Sequence, residues 1–219
     1  MPPRRPALFS TLSGVACPGP RACYASGWTR TSRFAVKKPL IEHWNGTRWS
    51  TQRLPGKPRN GELLSVSCPI GTRCTAVGST GISSTGMLVE NLSAGRWTAA
   101  QPASKSVAGS PALDNVSCSA PQACSAMVSF TRGGVLQWAF ASRGQAGGWK
   151  FQVPGDVRTN TPNDLSCSAD GACMMAGALG NTQGQGVQAD IGTTMAWQRL
   201  SSGFFPVSTP PPPATVHGP

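Results

Sequence analysis

All eight cysteines of this chain fall in one spacing, C-x5-C, which occurs four times: Cys17/Cys23, Cys68/Cys74, Cys118/Cys124 and Cys167/Cys173. Successive first cysteines are 51, 50 and 49 residues apart, and a tryptophan follows each second cysteine by 23 to 26 residues, at Trp49, Trp97, Trp149 and Trp197. Self-similarity at a period near 50 marks an array of like units, each too small to bury its own apolar face and stabilised by stacking on its neighbours.

The second unit divides most cleanly. "LLSVSC" (63–68) and "CTAVGS" (74–79) flank a connection, Pro69 to Arg73, that contains Pro and Gly, which is a hairpin signal. "MLVENL" (87–92) and "RWTAA" (96–100) follow, separated by the turn-like "SAG", and a Ser/Ala/Pro-rich linker leads to the next unit at Leu113. The residue two before each first cysteine is always branched and apolar: Val15, Val66, Val116, Leu165. With 26 Gly, 20 Pro and only 12% charged residues, the composition suits many short strands. A four-stranded unit repeated at this period predicts an all-β fold, a β-propeller of four-stranded blades. The expected organisation is a basic segment at 1–9, repeats at about 10–58, 59–108, 109–158 and 159–207, and a Pro-rich tail at 208–219. Four units leave closure open. Four-bladed propellers exist but six to eight blades are commoner, so a piece of a larger propeller or assembly with a second copy are the alternatives to closure; no obvious spare strand closes the ring, although "GFFPVS" (203–208) could pack against the N-terminal "ALFSTL".

Two cysteines six residues apart across a hairpin face one another within disulfide reach. Structural bridges are the favoured reading. Metal ligation is the rival, but zinc sites bring two close pairs together and no histidine accompanies these; free buried thiols are a third reading.

The layout carried by Ser67-Cys68, Cys74-Thr75-Ala76-Val77-Gly78 and Leu40 to Trp49 resembles a family of secreted bacterial C-x5-C/Trp repeat propellers with one disulfide-pinned hairpin per unit. Asn45-Gly46-Thr47-Arg48-Trp49 and Asp190-Ile191-Gly192-Thr193-Thr194 are similar to the Asp-box of BNR and sialidase-like propellers. The likeness covers nearly residues 10–200, and it implies a fold rather than an activity, because such repeats generally stiffen blades.

No run of 18 apolar residues occurs, so no membrane span is expected. Paired cysteines point to an oxidising compartment, extracellular or cell-envelope, whereas "MPPRRPALFSTLSGVAC" is a poor secretory signal. A true start upstream, or an unusual export route, reconciles the two.

Side chains suited to catalysis are scarce. Of two histidines, His217 lies in the tail and His43 sits between Glu42 and Trp44 in a strand-like segment, where packing is the expected role. Glu42, Glu90 and Asp190 share one repeat position, as expected for groups that satisfy a turn or pair with an arginine. Asp114 and Asp164 are expected just before strands that lead to a cysteine, with Glu62 near them by alignment, and could ring an axial mouth. Tyr24 is the only tyrosine available to sialidase chemistry. "GNTQGQG" (180–186) lacks the Lys and following helix of a phosphate loop and is read as a blade loop, and the sequons at Asn45, Asn91 and Asn115 are read as incidental. No cofactor or metal site is expected.

Charge supplies the most usable functional hint. The formal net charge is +11, and residues 1–60 hold eleven basic side chains against Glu42 alone. Such a field concentrates anionic partners and weakens in salt. Arg30, Arg33, Lys37 and Lys38 are expected in a long connection between the second and third strands, with Trp28, Phe34 and Trp44 near them, a mixture suited to polyanions or to stacking on sugars. The expected function is a non-enzymatic extracellular or cell-envelope binding or scaffold module for an anionic envelope polymer, glycan or protein, ahead of nucleic acid. The alternative is a carbohydrate-active hydrolase using the carboxylates of the propeller mouth.

Overall fold

A computed structural model of the chain describes residues 9–55, 60–81, 86–102, 105–107, 109–144, 147–153, 160–181, 184–193 and 196–199. The fold is all-β. Its first sheet is β1 (Phe9–Gly19), β2 (Ala22–Arg30), β3 (Lys38–Trp44) and β4 (Trp49–Thr51); its second is β5 (Gly61–Ile70), β6 (Arg73–Thr80), β7 (Gly86–Ser93) and β8 (Arg96–Ala100). The third is β9 (Ala112–Ala120), β10 (Ala123–Arg132), β11 (Val135–Arg143) and β12 (Lys150–Gln152), and the fourth is β13 (Asn160–Cys167), β14 (Ala172–Asn181), β15 (Gly184–Thr193) and β16 (Ala196–Arg199). Strand order in each sheet is sequence order, and every pairing is antiparallel. Four such meanders in succession are propeller blades.

Turn chemistry sets the register. Ala94 and Gly95 (φ 49° and 73°) join β7 to β8, and Gly133 and Gly134 (φ 60° and 77°) join β10 to β11, two left-handed residues in each case. That is the two-residue hairpin turn whose twist matches the flanking strands. The first hairpin of the second blade is tighter than its sequence suggests: β5 runs on to Ile70 and β6 starts at Arg73, leaving Gly71 and Thr72 as the turn. "GNTQGQG" is likewise mostly strand, because β14 reaches Asn181 and β15 begins at Gly184.

The four disulfides pair each C-x5-C with itself, Cα atoms 3.9 to 4.1 Å apart. There are no free cysteines. Each first strand is bulged at one repeat position, leaving Ser13, Leu64, Asp114 and Asn163 without a cross-strand partner. Opposite this bulge, the carbonyls of Thr11 and Glu62 crowd Gly27 and Gly78, where any Cβ would collide with them. The glycine four residues after the second cysteine of each of these two blades is thus a packing requirement.

Each blade has two faces, and both are used. On β6 every residue from Cys74 to Thr80 is buried, which is why its sequence does not alternate. The second blade turns Leu63, Val66, Cys74, Ala76 and Trp97 toward Tyr24 and Ile41 of the first. Its other face sends Val77, Met87 and Val89 against Leu113, Val116, Cys124 and Ala126 of the third. Met127 and Phe140 of the third then meet Leu165, Cys173 and Met175 of the fourth. A hydrogen-bond ladder accompanies the stacking: Ser67 Oγ accepts from Cys118 N–H at 3.0 Å, and Ser117 Oγ from Cys167 N–H at 2.9 Å. Among the described residues no helix is long and apolar enough to cross a membrane. The tail at 208–219 and the segment 203–208 lie outside the described residues.

Candidate anion-binding loop

The four cations of the basic block are distributed along one end of the first blade. Arg30 closes β2, Lys38 opens β3, and the connection at 31–37 is shorter than the sequence implies, with Arg33 exposed on it. Trp28 of β2 holds the centre of the group. Arg30 lies 5.0 Å from its ring centroid and Lys37 4.8 Å, so the indole is flanked by two cations. Arg30 also covers Phe9, its cross-strand partner, at 5.1 Å. Phe34 at the loop tip is 94% exposed beside Arg33.

Two bonds tie this loop to the second blade. Gly61 N–H donates to Lys37 O at 2.9 Å, and Lys37 Nζ lies 2.7 Å from Glu62 Oε2. A turn inside the loop is closed by Ala35 N–H to Ser32 O at 3.1 Å. Sequence reasoning missed Phe9 and the neutralising role of Glu62; the first could have been found from hairpin register, the second only from the approach of two blades.

Trp44 does not belong to this group. It ends β3, whose length at the usual strand rise puts it about 20 Å from Lys38. There it packs on Trp49, centroids 5.7 Å apart. The turn between them is built by Asn45, whose Oδ1 accepts from Thr47 N–H at 3.0 Å, Thr47 Oγ1 at 2.8 Å and Arg48 N–H at 3.0 Å, with Gly46 left-handed at φ 96°. An Asx turn of this kind explains the Asp-box-like letters without a ligand.

The carboxylates are structurally engaged. Asp114 and Asp164 lie inside β9 and β13 rather than before them, because β9 already starts at Ala112 and β13 at Asn160. Asp114 Oδ2 accepts Ser129 N–H at 2.9 Å, and burial pushes its carboxyl above the ordinary range. Asp164 Oδ1 takes Asn115 Nδ2 at 2.7 Å and its neighbour's amide, Leu165 N–H, at 2.8 Å. Glu42 accepts from Thr51 Oγ1 at 2.7 Å across β3 and β4, not from a turn amide; Glu90 is buried between the first two blades. The Asp190 side chain lies outside the described residues. His43 stacks on Tyr24 at 4.5 Å, a packed strand residue.

One polar cleft has no signature in the sequence. It has a volume of about 200 Å³ between the second and third blades and is lined by Arg73, Thr75, Asn91 and Arg143 among others. Arg143 Nη1 donates to Asn91 Oδ1 at 3.2 Å and Nε to Gln122 O at 3.3 Å, and burial lowers its pKa from the ordinary value. No group of three or more His, Cys, Asp or Glu among the described residues is arranged to hold a metal ion.

No protein-family model and no curated protein matches the chain in sequence. Among solved structures, it is similar to a subtype N10 neuraminidase-like protein of A/little yellow-shouldered bat/Guatemala/060/2010, with TM-score 0.52 and 13% identity over 90% of this chain and 60% of that one. It is similar also to a subtype N11 neuraminidase-like protein of A/flat-faced bat/Peru/033/2010 (H18N11), with TM-score 0.51 and 14% identity over 88% of this chain and 54% of that one. A looser likeness, TM-score 0.41 and 11% identity over 90% of this chain and 70% of the other, is to YCF48 bound to D1 peptide. The chain thus spans little more than half the length of the two neuraminidase-like proteins, and at these identities the likeness establishes a propeller fold alone.

Proposed function

We propose that this chain is a non-enzymatic binding module that holds an anionic polymer of the cell envelope or extracellular space on the basic, aromatic loop of its first blade. The observation that carries the reading is Trp28 flanked by Arg30 and Lys37, with Arg33 and Phe34 at the exposed tip beyond them. A ring edged by cations offers apolar contact and charge in one place, which suits a sulfated, phosphorylated or carboxylated chain. Four disulfides fit an oxidising compartment. Glycans and proteins with acidic faces share the required chemistry.

The test is retention on heparin-agarose as a function of salt. The native chain should elute late, and a variant with Arg30, Arg33, Lys37 and Lys38 all replaced by Gln should elute near the void. Equal retention of the two would place the contact elsewhere. A second reading, a carbohydrate-active hydrolase, is favoured by one observation, the placement of Asp114 and Asp164 on the first strands of adjacent blades, where Asn115 Nδ2 donates to Asp164 Oδ1 at 2.7 Å. Turnover of a glycan panel that disappears in Asp114→Asn or Asp164→Asn would support it.

A further inference from the structure

The four blades form an open arc whose two ends are complementary. At the repeat position two before the first cysteine, Val66, Val116 and Leu165 are buried against the preceding blade, at 7%, 4% and 4% exposure, whereas Val15 is 64% exposed. Trp49 is 47% exposed where its equivalent Trp97 is 4%. Leu12 is exposed where Leu63 and Leu113 are fully buried. These three share one face of the first blade, the face that later blades press on their predecessors. At the other end, Met174 and Ala176 are exposed on the fourth blade, at positions where the first three blades bury Tyr24 and Ser26, Thr75 and Val77, and Ser125 and Met127.

We propose that a second copy of this chain closes the arc head to tail, the fourth blade of each copy stacking on the first blade of the other. A second copy offers each open face the interface the chain already makes three times. Tyr24 packs on Trp97 across the first junction at 6.0 Å; Met174 occupies the Tyr24 position and Trp49 the Trp97 position. The serine ladder continues in the same way. Ser67 and Ser117 accept the amides of Cys118 and Cys167, and Ser166 stands next in the series, exposed and on the same face as Met174. Its counterpart in a following blade is the amide of Cys17. Two arcs of four blades make a ring of eight, within the range that propellers adopt. A repeated heterologous contact that closes on itself satisfies both open faces at once, where an isologous contact would leave two fourth-blade faces bare.

Sedimentation velocity on the full chain tests this, with Val15→Asp and Met174→Asp, both at exposed positions, checked for intact far-UV circular dichroism. The native chain should sediment as twice 22.7 kDa. Each variant alone should be monomeric, since either substitution enters both junctions of the ring. An equimolar mixture of the two should recover a heterodimer, because one of its two junctions is then free of substitutions. A native chain monomeric at its highest soluble concentration would overturn the proposal in favour of some other cover for these faces. A dimer that Met174→Asp leaves intact would overturn it in favour of face-to-face pairing through Val15 and Trp49.

Discussion

Tyr24 of the first blade meets Trp97 of the second edge to face, ring centroids 6.0 Å apart and planes at 73°. Tyr24 is also stacked on His43 and is 7% exposed, so it is the largest apolar group the first blade contributes to that junction. Its hydroxyl donates to Gly71 O at a long 3.4 Å. Tyr24→Ala should cost about 3 kcal/mol, as truncation of a buried aromatic does, whereas Tyr24→Phe should cost less than about 1 kcal/mol. Urea titration followed by tryptophan fluorescence measures both, and equal losses would show that the hydroxyl, not the ring, secures the junction.

Ser117 contributes through its oxygen alone. Removing it in Ser117→Ala leaves the Cys167 amide without the acceptor it now has at 2.9 Å, and an unpaired, partly buried donor costs about 1 to 2 kcal/mol. Ser117→Thr keeps an oxygen in reach. Hydrogen exchange at Cys167 should quicken in the alanine variant, and an unchanged rate would mean that water replaces the hydroxyl freely.

The four bridges should not be equally accessible. Cys74, Cys124 and Cys173 are buried in blade junctions, but Cys17 is exposed and Cys23 only half-buried, on the face of the first blade that no described blade covers. Mild reduction of dilute protein followed by alkylation should therefore label Cys17 and Cys23 first in peptide maps. Each bridge closes a small loop and stabilises by about 2 kcal/mol in the chain-entropy view, so loss of the first should lower the unfolding midpoint without abolishing the fold.

Asp114 carries a pH signature. Burial raises its carboxyl above the ordinary 3.8; the two hydrogen bonds to Ser129 oppose the rise and the charge of Glu62 adds to it. The folded chain then binds this proton more tightly than the unfolded chain, so the contribution to stability is full below 3.8 and is lost as pH rises through the folded value. Asp114→Asn keeps an acceptor for Ser129 and removes the buried charge. Its thermal midpoint should exceed that of the native chain at neutral pH and converge with it in acid; a lower midpoint at neutral pH would contradict this.

Glu62 holds one of the loop cations. The Lys37–Glu62 pair at 2.7 Å is partly exposed and is worth less than about 1 kcal/mol to the fold. Glu62→Gln should leave stability nearly unchanged, yet free Lys37 and raise the salt needed to elute the chain from heparin-agarose. Earlier elution would mean that the ion pair positions Lys37 for binding.

Much of this architecture was legible because it is local. A five-residue gap between cysteines specifies a hairpin, a left-handed pair such as Ala94-Gly95 specifies a turn, and the recurrence of both every fifty residues or so specifies blades. The candidate loop was legible only as a cluster of charge. Trp44 is near that cluster in sequence, but a strand carries it to the far end of the blade.

Taken alone, the amino-acid order determined the number of units, the pairing of the cysteines and the run of strands within each blade, since every one of these depends on contacts between residues close along the chain. Only tertiary structure decided which of the repeated apolar positions are covered. Val15 and Val66 are the same residue at the same repeat position, yet one is exposed and the other buried, because burial depends on whether a neighbouring blade stands in front. The same holds for Lys37, whose ion pair with Glu62 exists because two blades, each folded locally, stack on one another.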